Sequence, residues 1–147
     1  MSRRKSARRG RRPADLPRRP DAEAPCPCGG GAYAACCGRF HRGEALPATA
    51  EELMRSRYSA FAVGDAAYLL GTWHPATRPA RLDPADGPRW TGLEILDTSG
   101  GSAFHGEGTV TFRAHWVTAA GERGTQEERS RFVRVDGAWS YLDGAVA

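Results

Sequence analysis

All four cysteines of the chain fall within twelve residues, Cys26-Pro27-Cys28-Gly29-Gly30-Gly31-Ala32-Tyr33-Ala34-Ala35-Cys36-Cys37, and no other cysteine occurs among its 147 residues. This clustering argues against a disulfide framework. Bridges stabilise by closing sizeable loops of the unfolded chain, whereas every loop available here is short and a Cys36–Cys37 bridge would be a strained link between neighbours. Four thiolates converging on one Zn²⁺ fit the spacing, so Cys26, Cys28, Cys36 and Cys37 are read as metal ligands and Zn²⁺ as the cofactor. Four protein sulfurs leave no open position for water or substrate, which gives such a metal a structural role. Glycines 29–31 permit the tight turn that aims backbone amides at the sulfurs. They form no phosphate loop, because the lysine and the helix that such a loop requires do not follow. His41 is the alternative fourth ligand.

The remaining composition describes an ordinary globular chain, with 40% apolar and 26% charged residues. A chain of this length buries roughly two-thirds of its unfolded surface, so the fold does not depend on the metal alone. No run approaches the ~18 apolar residues of a membrane span. No apolar stretch follows the arginine pairs at the amino terminus, so neither a secretory nor a twin-arginine signal is read there. Thiols reserved for metal point to the cytoplasm. The net charge of +4 conceals an asymmetry: residues 1–20 hold nine basic side chains against the single acid Asp15, leaving an excess of four acids in the rest. An arginine-rich, proline-containing segment cannot bury enough apolar surface to order itself. It is read either as a nonspecific nucleic-acid contact through residues 3–19 or as a solvated tail.

Three sections follow: a disordered basic tail at 1–24, a cysteine module at 25–45 and a globular domain at 46–147. The domain opens on Thr49-Ala50-Glu51-Glu52, a capping box that starts a helix of about fifteen residues ended by Gly64. Met54, Tyr58, Phe61 and Ala62 give that helix a buried stripe. Asp65 caps a second, shorter helix with Tyr68, Leu69 and Leu70, and the stretch 75–88 is loop. From Trp90 the apolar period changes to two. Leu93 and Ile95 mark one strand, Gly100-Gly101 a turn, and Val110, Phe112, Ala114 and Trp116 the inward face of a longer strand. Residues 120–124 read as a turn, 126–135 as a strand, and Asp136-Gly137 as a two-residue hairpin leading to a last strand with Trp139 and Tyr141. Helices followed by an antiparallel meander make an α+β domain with its helices on one face of a curved sheet.

Cys26-Pro27-Cys28-Gly29, Tyr33 and Cys36-Cys37-Gly38 resemble the SEC-C zinc motif, with seven residues between Cys28 and Cys36 where eight are usual and Gly30 where serine is common. Leu53-Met54-Arg55-Ser56-Arg57-Tyr58-Ser59-Ala60-Phe61, Gly64-Asp65-Ala66-Ala67-Tyr68-Leu69, Thr72-Trp73-His74-Pro75, Glu128 to Phe132 and Gly137 to Gly144 extend the likeness. Together they resemble the YchJ family of uncharacterised bacterial proteins. The resemblance implies a SEC-C-like zinc module followed by an NTF2-like cone.

Such cones often enclose a pocket, and Arg57, Tyr58, Trp73, His74, Trp90, Glu128, Arg131 and Trp139 are the residues expected at one, with His74 or Glu128 as a general base. No paired acids, nucleophile or phosphate loop accompanies them, and fold alone licenses no chemistry. A binding role accounts for more of the chain. The expectation is a cytoplasmic zinc-binding adaptor docking to a protein, ribosome or RNA partner, with a homodimer through the sheet as a further arrangement implied by the fold. The alternative is a small-molecule-binding enzyme of the isomerase or dehydratase kind, with its site in the cone.

Overall fold

The computed structural model describes residues 19–146. Disorder of the basic tail and its contact with nucleic acid concern residues that, apart from Arg19 onward, lie outside this range. Residues 19–24, within the expected tail, lie against the rest of the protein: Arg19 is ion-paired to Asp65 at 2.8 Å, and the carbonyls of Ala22 and Ala24 accept the amides of Ala34 and Tyr33.

A 3₁₀ turn at Tyr33–Ala35 precedes helix α1 (Cys37–His41), followed by α2 (Ala50–Val63) and α3 (Ala66–Gly71). The expected caps form. Thr49 Oγ1 accepts the amide of Glu52 at 3.1 Å, and the Glu52 carboxylate reaches back to the amide of Ala48 at 2.8 Å, one residue earlier than in the usual box. Gly64 stops α2 at φ +79°, a left-handed conformation open to glycine, and Asp65 Oδ1 caps α3 through the amide of Tyr68 at 3.1 Å.

Strands β1 (Arg89–Gly100), β2 (Glu107–Val117), β3 (Arg123–Val135) and β4 (Ala138–Val146) form one antiparallel sheet in chain order. The register alternates as the pattern demands: Val110, Phe112 and Ala114 are buried on the inner face. Bulges after Trp90, Ile95 and Arg131 bend the sheet around the helices. Asp136 and Gly137 both take positive φ, 53° and 85°, as a tight hairpin between twisted strands requires. The β1–β2 connection is wider than the expected Gly100-Gly101 turn. β1 runs on to Gly100, the loop continues to Gly106, and Gly101 accepts the amide of Ala50, docking this loop on the start of α2.

Helix α2 also differs from its sequence reading. Phe61 and Ala62 are only partly covered, whereas Leu53, Ser56, Arg57, Ser59 and Ala60 are buried. A single apolar stripe suits a helix covered on one side. This one is enclosed by the cysteine module, by α3 and by the sheet, so polar residues go inside with it. Leu53, Phe132 and Val110, each fully buried, anchor the shared core, and burial of each side chain is worth about 1.5–3 kcal/mol. Beyond α3 the chain lies along the edge of β4. His74 donates its amide to Tyr141 O at 2.7 Å and Tyr141 donates to Thr72 O at 2.8 Å, which covers part of an otherwise open strand edge.

Candidate metal centre

The segment from Pro25 to Ala32 is a tight knuckle. The Cys26 amide donates to Gly31 O at 2.7 Å, the Gly29 amide to Cys26 O at 2.9 Å, and Gly29 and Gly31 take φ of +85° and +123°. This fold-back brings Cys26 and Cys28 opposite Cys36 and Cys37, which stand where the 3₁₀ turn passes into α1. The four Sγ atoms lie within 4.8 Å of one another, and Cys28 and Cys36 are 3.5 Å apart. A tetrahedral zinc with Zn–S bonds near 2.3 Å needs sulfurs ~3.8 Å apart. The donor set therefore fits a closed four-thiolate site in number, chemistry and spacing. None of the cysteines is bridged, and Cys26, Cys28 and Cys37 are buried.

Gly30 makes the short loop workable. A Cβ at this position would stand 2.9 Å from Cys36 Sγ and 3.2 Å from Cys28 Sγ, so the backbone passes directly over the sulfurs. Without a cation the thiols share protons unequally. Hydrogen bonds from the Cys28 and Cys37 thiols push Cys26 far down, while its bond to Cys26 pushes Cys37 far up and burial raises Cys36 to about 12. Negative charge gathered on buried sulfur is what a divalent cation compensates, and its binding would release the remaining protons.

The body contributes directly to this centre. From α2, Ser59 Oγ lies 3.5 Å from Cys26 Sγ and Arg55 donates to Cys28 O at 3.1 Å. His41 is committed elsewhere. Its Nε2 donates to Ser56 O at 2.9 Å and its Nδ1 accepts from the Tyr33 hydroxyl at 2.5 Å, so both ring nitrogens brace the knuckle against α2. Tyr68 packs on the same ring at 4.7 Å and bonds Ser56 Oγ at 2.7 Å. The result is one hydrogen-bonded unit from Tyr33 to α3. Ser56 and Ser59 were missed in the sequence, although two small polar residues one turn apart on the same side of the helix were the available signal.

The eight residues expected at a cone pocket separate. Arg57, Trp73 and Glu128 come together around Tyr141, which sequence reasoning left out. Arg57 lies over the Trp73 and Tyr141 rings at 4.9 and 4.6 Å, and Glu128 accepts from Ser130 Oγ at 2.9 Å and the Tyr141 hydroxyl at 3.4 Å. The others have different settings. Tyr58 packs edge-on to Trp90, which borders an open cleft beside Phe61, and burial raises the Tyr58 phenol to about 12. Trp139 donates to Ala48 O at 3.1 Å beneath the Arg134 guanidinium. His74 accepts the Ala76 amide and shapes a turn. Arg131 pairs with Asp143 on the outer face of the sheet, because three residues along a strand from Glu128 reverses the direction of the side chain.

Comparison with known proteins decides the lineage. Residues 49–144 match the family model described as the middle NTF2-like domain of YchJ. The chain belongs to the YchJ family. A UPF0225 protein of Streptomyces coelicolor is 66% identical over 121 residues, covering 82% of this chain and 94% of that protein. Another from Streptomyces avermitilis is 54% identical across 98% of this chain and 97% of its own length. Among solved structures, a SEC-C motif containing protein from Rhodopseudomonas palustris superposes with a TM-score of 0.74 at 30% identity, covering 84% of this chain and 99% of that one. A sec-c motif containing protein from Psychrobacter arcticus does so with 0.68, also at 30% identity, over 86% and 84%. The YchJ fold is thus an NTF2-like cone of helices on a curved antiparallel sheet, carrying a four-cysteine module at its amino-terminal side. Among the described residues, no helix is long and apolar enough to cross a membrane.

Proposed function

We propose that this YchJ protein is a cytoplasmic zinc-binding adaptor whose cysteine module is a docking knuckle for a protein or ribosomal partner. The observation that carries the reading is the closed set of four sulfurs, tied to α2 by Ser59 at Cys26 Sγ and by Arg55 at the Cys28 carbonyl. A zinc held by all four thiolates has no position left for substrate, so its contribution is to shape the surface around it. Bracing by Tyr33, His41 and Ser56 gives that surface one orientation on the cone, which a docking site needs if little conformational freedom is to be lost on binding. The basic residues before Arg19 supply a salt-sensitive attraction toward polyanionic surroundings such as ribosomal RNA, without base readout. The cytoplasm keeps thiols reduced and suits this chemistry.

Affinity purification of the full chain from native cells, with and without nuclease, together with ribosome sedimentation at low and moderate salt, tests the proposal. A specific partner that is retained by wild type and lost with Cys36→Ser is the expected result. Absence from ribosomal fractions and from every protein complex contradicts it.

A further inference from the structure

Arg57 is only 4% exposed, yet no carboxylate pairs with it among the described residues. Its Nη1 is fully used, donating at 2.7 Å to both Leu69 O and Thr72 Oγ1 at the end of α3. The Trp73 and Tyr141 rings, themselves edge to face at 5.1 Å, hold the guanidinium plane in place. What remains is the edge formed by Nε and Nη2, which makes no hydrogen bond among the described residues. That edge is one of the two through which a guanidinium takes up a carboxylate with two parallel bonds. Glu128 acts on this cation only from a distance, and a buried cation with no carboxylate in contact is costly.

The neighbouring Trp73 ring carries a buried donor that is orphaned. Trp73 Nε1 is buried and has no hydrogen-bond partner, in contrast to Trp139, whose indole N–H finds a carbonyl. A buried donor without a partner in a folded protein calls for an explanation, and an occupant supplies one. Glu128 is not that occupant: its carboxylate is held by Ser130, Tyr141 and Gln126. Burial brings the Arg57 guanidinium down to about 10, so it stays cationic at neutral pH. Trp73, Tyr141 and Glu128 are each partly exposed, which leaves an approach from solvent beside β4.

We propose that Arg57 and Trp73 form a binding site for a small monocarboxylate, its two oxygens on the Nε–Nη2 edge of Arg57 and the Trp73 indole N–H as a third donor. The Trp73 and Tyr141 rings, which meet at a corner beside the guanidinium, present apolar surface to the rest of such a ligand. A single negative charge is the most that the Arg57 cation can meet, because the Glu128 carboxylate already acts on it from a distance. A phosphate dianion would bring a second charge toward the Glu128 carboxylate with no cation to meet it. The site is separate from the docking knuckle, since the side chains of Arg57 and Trp73 make no hydrogen bond to the cysteines, Tyr33, His41 or Ser56 among the described residues.

The test uses the full chain with its metal, titrated with acetate, propanoate and benzoate against chloride at matched ionic strength, reading the Arg57 Nε–H and Trp73 Nε1–H resonances. Saturable shifts with the carboxylates and none with chloride are expected, at the millimolar affinity open to a ligand of a few heavy atoms. Trp73→Phe removes one neutral hydrogen bond and weakens binding about five-fold while leaving the Arg57 contacts to α3 intact. Arg57→Lys keeps the charge but loses the planar fork and removes saturable binding; should it fail to fold, Trp73→Phe carries the test. A folded wild type whose two resonances do not move with carboxylate, or move equally with chloride, overturns the proposal, and so does Trp73→Phe binding as tightly as wild type.

Discussion

Ser59 Oγ stands 3.5 Å from Cys26 Sγ, so a serine of the cone's central helix touches the sulfur cluster of the amino-terminal module. The centre is consequently shared between the module and the body. A hydroxyl that donates to a ligating thiolate eases its charge, and such outer partners typically contribute 10–100-fold to metal affinity. Ser59→Ala is therefore expected to lower zinc affinity by roughly ten-fold, the lower part of that range, with the cone intact. Competition against a chromophoric chelator measures it, with circular dichroism as the control for folding.

Gly30 is expected to tolerate no larger residue in this short loop. In Gly30→Ser, the added Cβ arrives 2.9 Å from Cys36 Sγ and displaces a ligand sulfur. Zinc content should fall below that of wild type, and inserting one residue between Gly30 and Gly31 should restore it. Equal zinc content in wild type and Gly30→Ser contradicts the geometry.

His41 sets a pH dependence of known sign. Burial is the main cause that lowers its pKa below the ordinary 6.5. The folded state thus favours the neutral ring, and the stability it lends is fully present above about pH 6.5, where the unfolded chain is also neutral. It is lost as the pH falls from there toward the depressed folded value. Because thiolates also take up protons in acid, the informative quantity is the difference in unfolding free energy between wild type and His41→Gln. That difference should shrink from pH 7.5 to pH 5.5; a constant gap would show that ring protonation is not linked to folding.

Phe132 belongs to the core beneath Tyr141, at 5.8 Å between ring centroids, and is completely buried. Phe132→Ala should cost about 3–5 kcal/mol in a denaturant titration at fixed zinc concentration. A loss below about 1 kcal/mol would mean that the inner face of β3 repacks far more readily than close-packed interiors do.

Legibility from the sequence followed locality. The four cysteines, the Thr49 cap, the Gly64 stop and the Asp136-Gly137 turn are fixed by chemistry within a few residues, and each could be read directly. The alternation through Val110, Phe112 and Ala114 likewise disclosed the inner face of β2. What escaped depends on which elements meet. Nothing near Arg57 in sequence says that α3 and Tyr141 will enclose it, or that Ser59 will face a sulfur. The width of the β1–β2 loop escaped for the same reason, since Gly101 is set by its contact with Ala50 across the molecule. Arg131 was a different kind of miss: with a period of two, it and Glu128 belong on opposite faces, and that signal was present.

Zinc K-edge absorption on the full chain, purified without chelator and paired with elemental analysis, tests the central claim most directly. The account predicts about one zinc per chain bound by four sulfurs near 2.3 Å, with no nitrogen or oxygen ligand. Folded wild-type protein without metal, or a zinc carrying a histidine or water ligand, would contradict it.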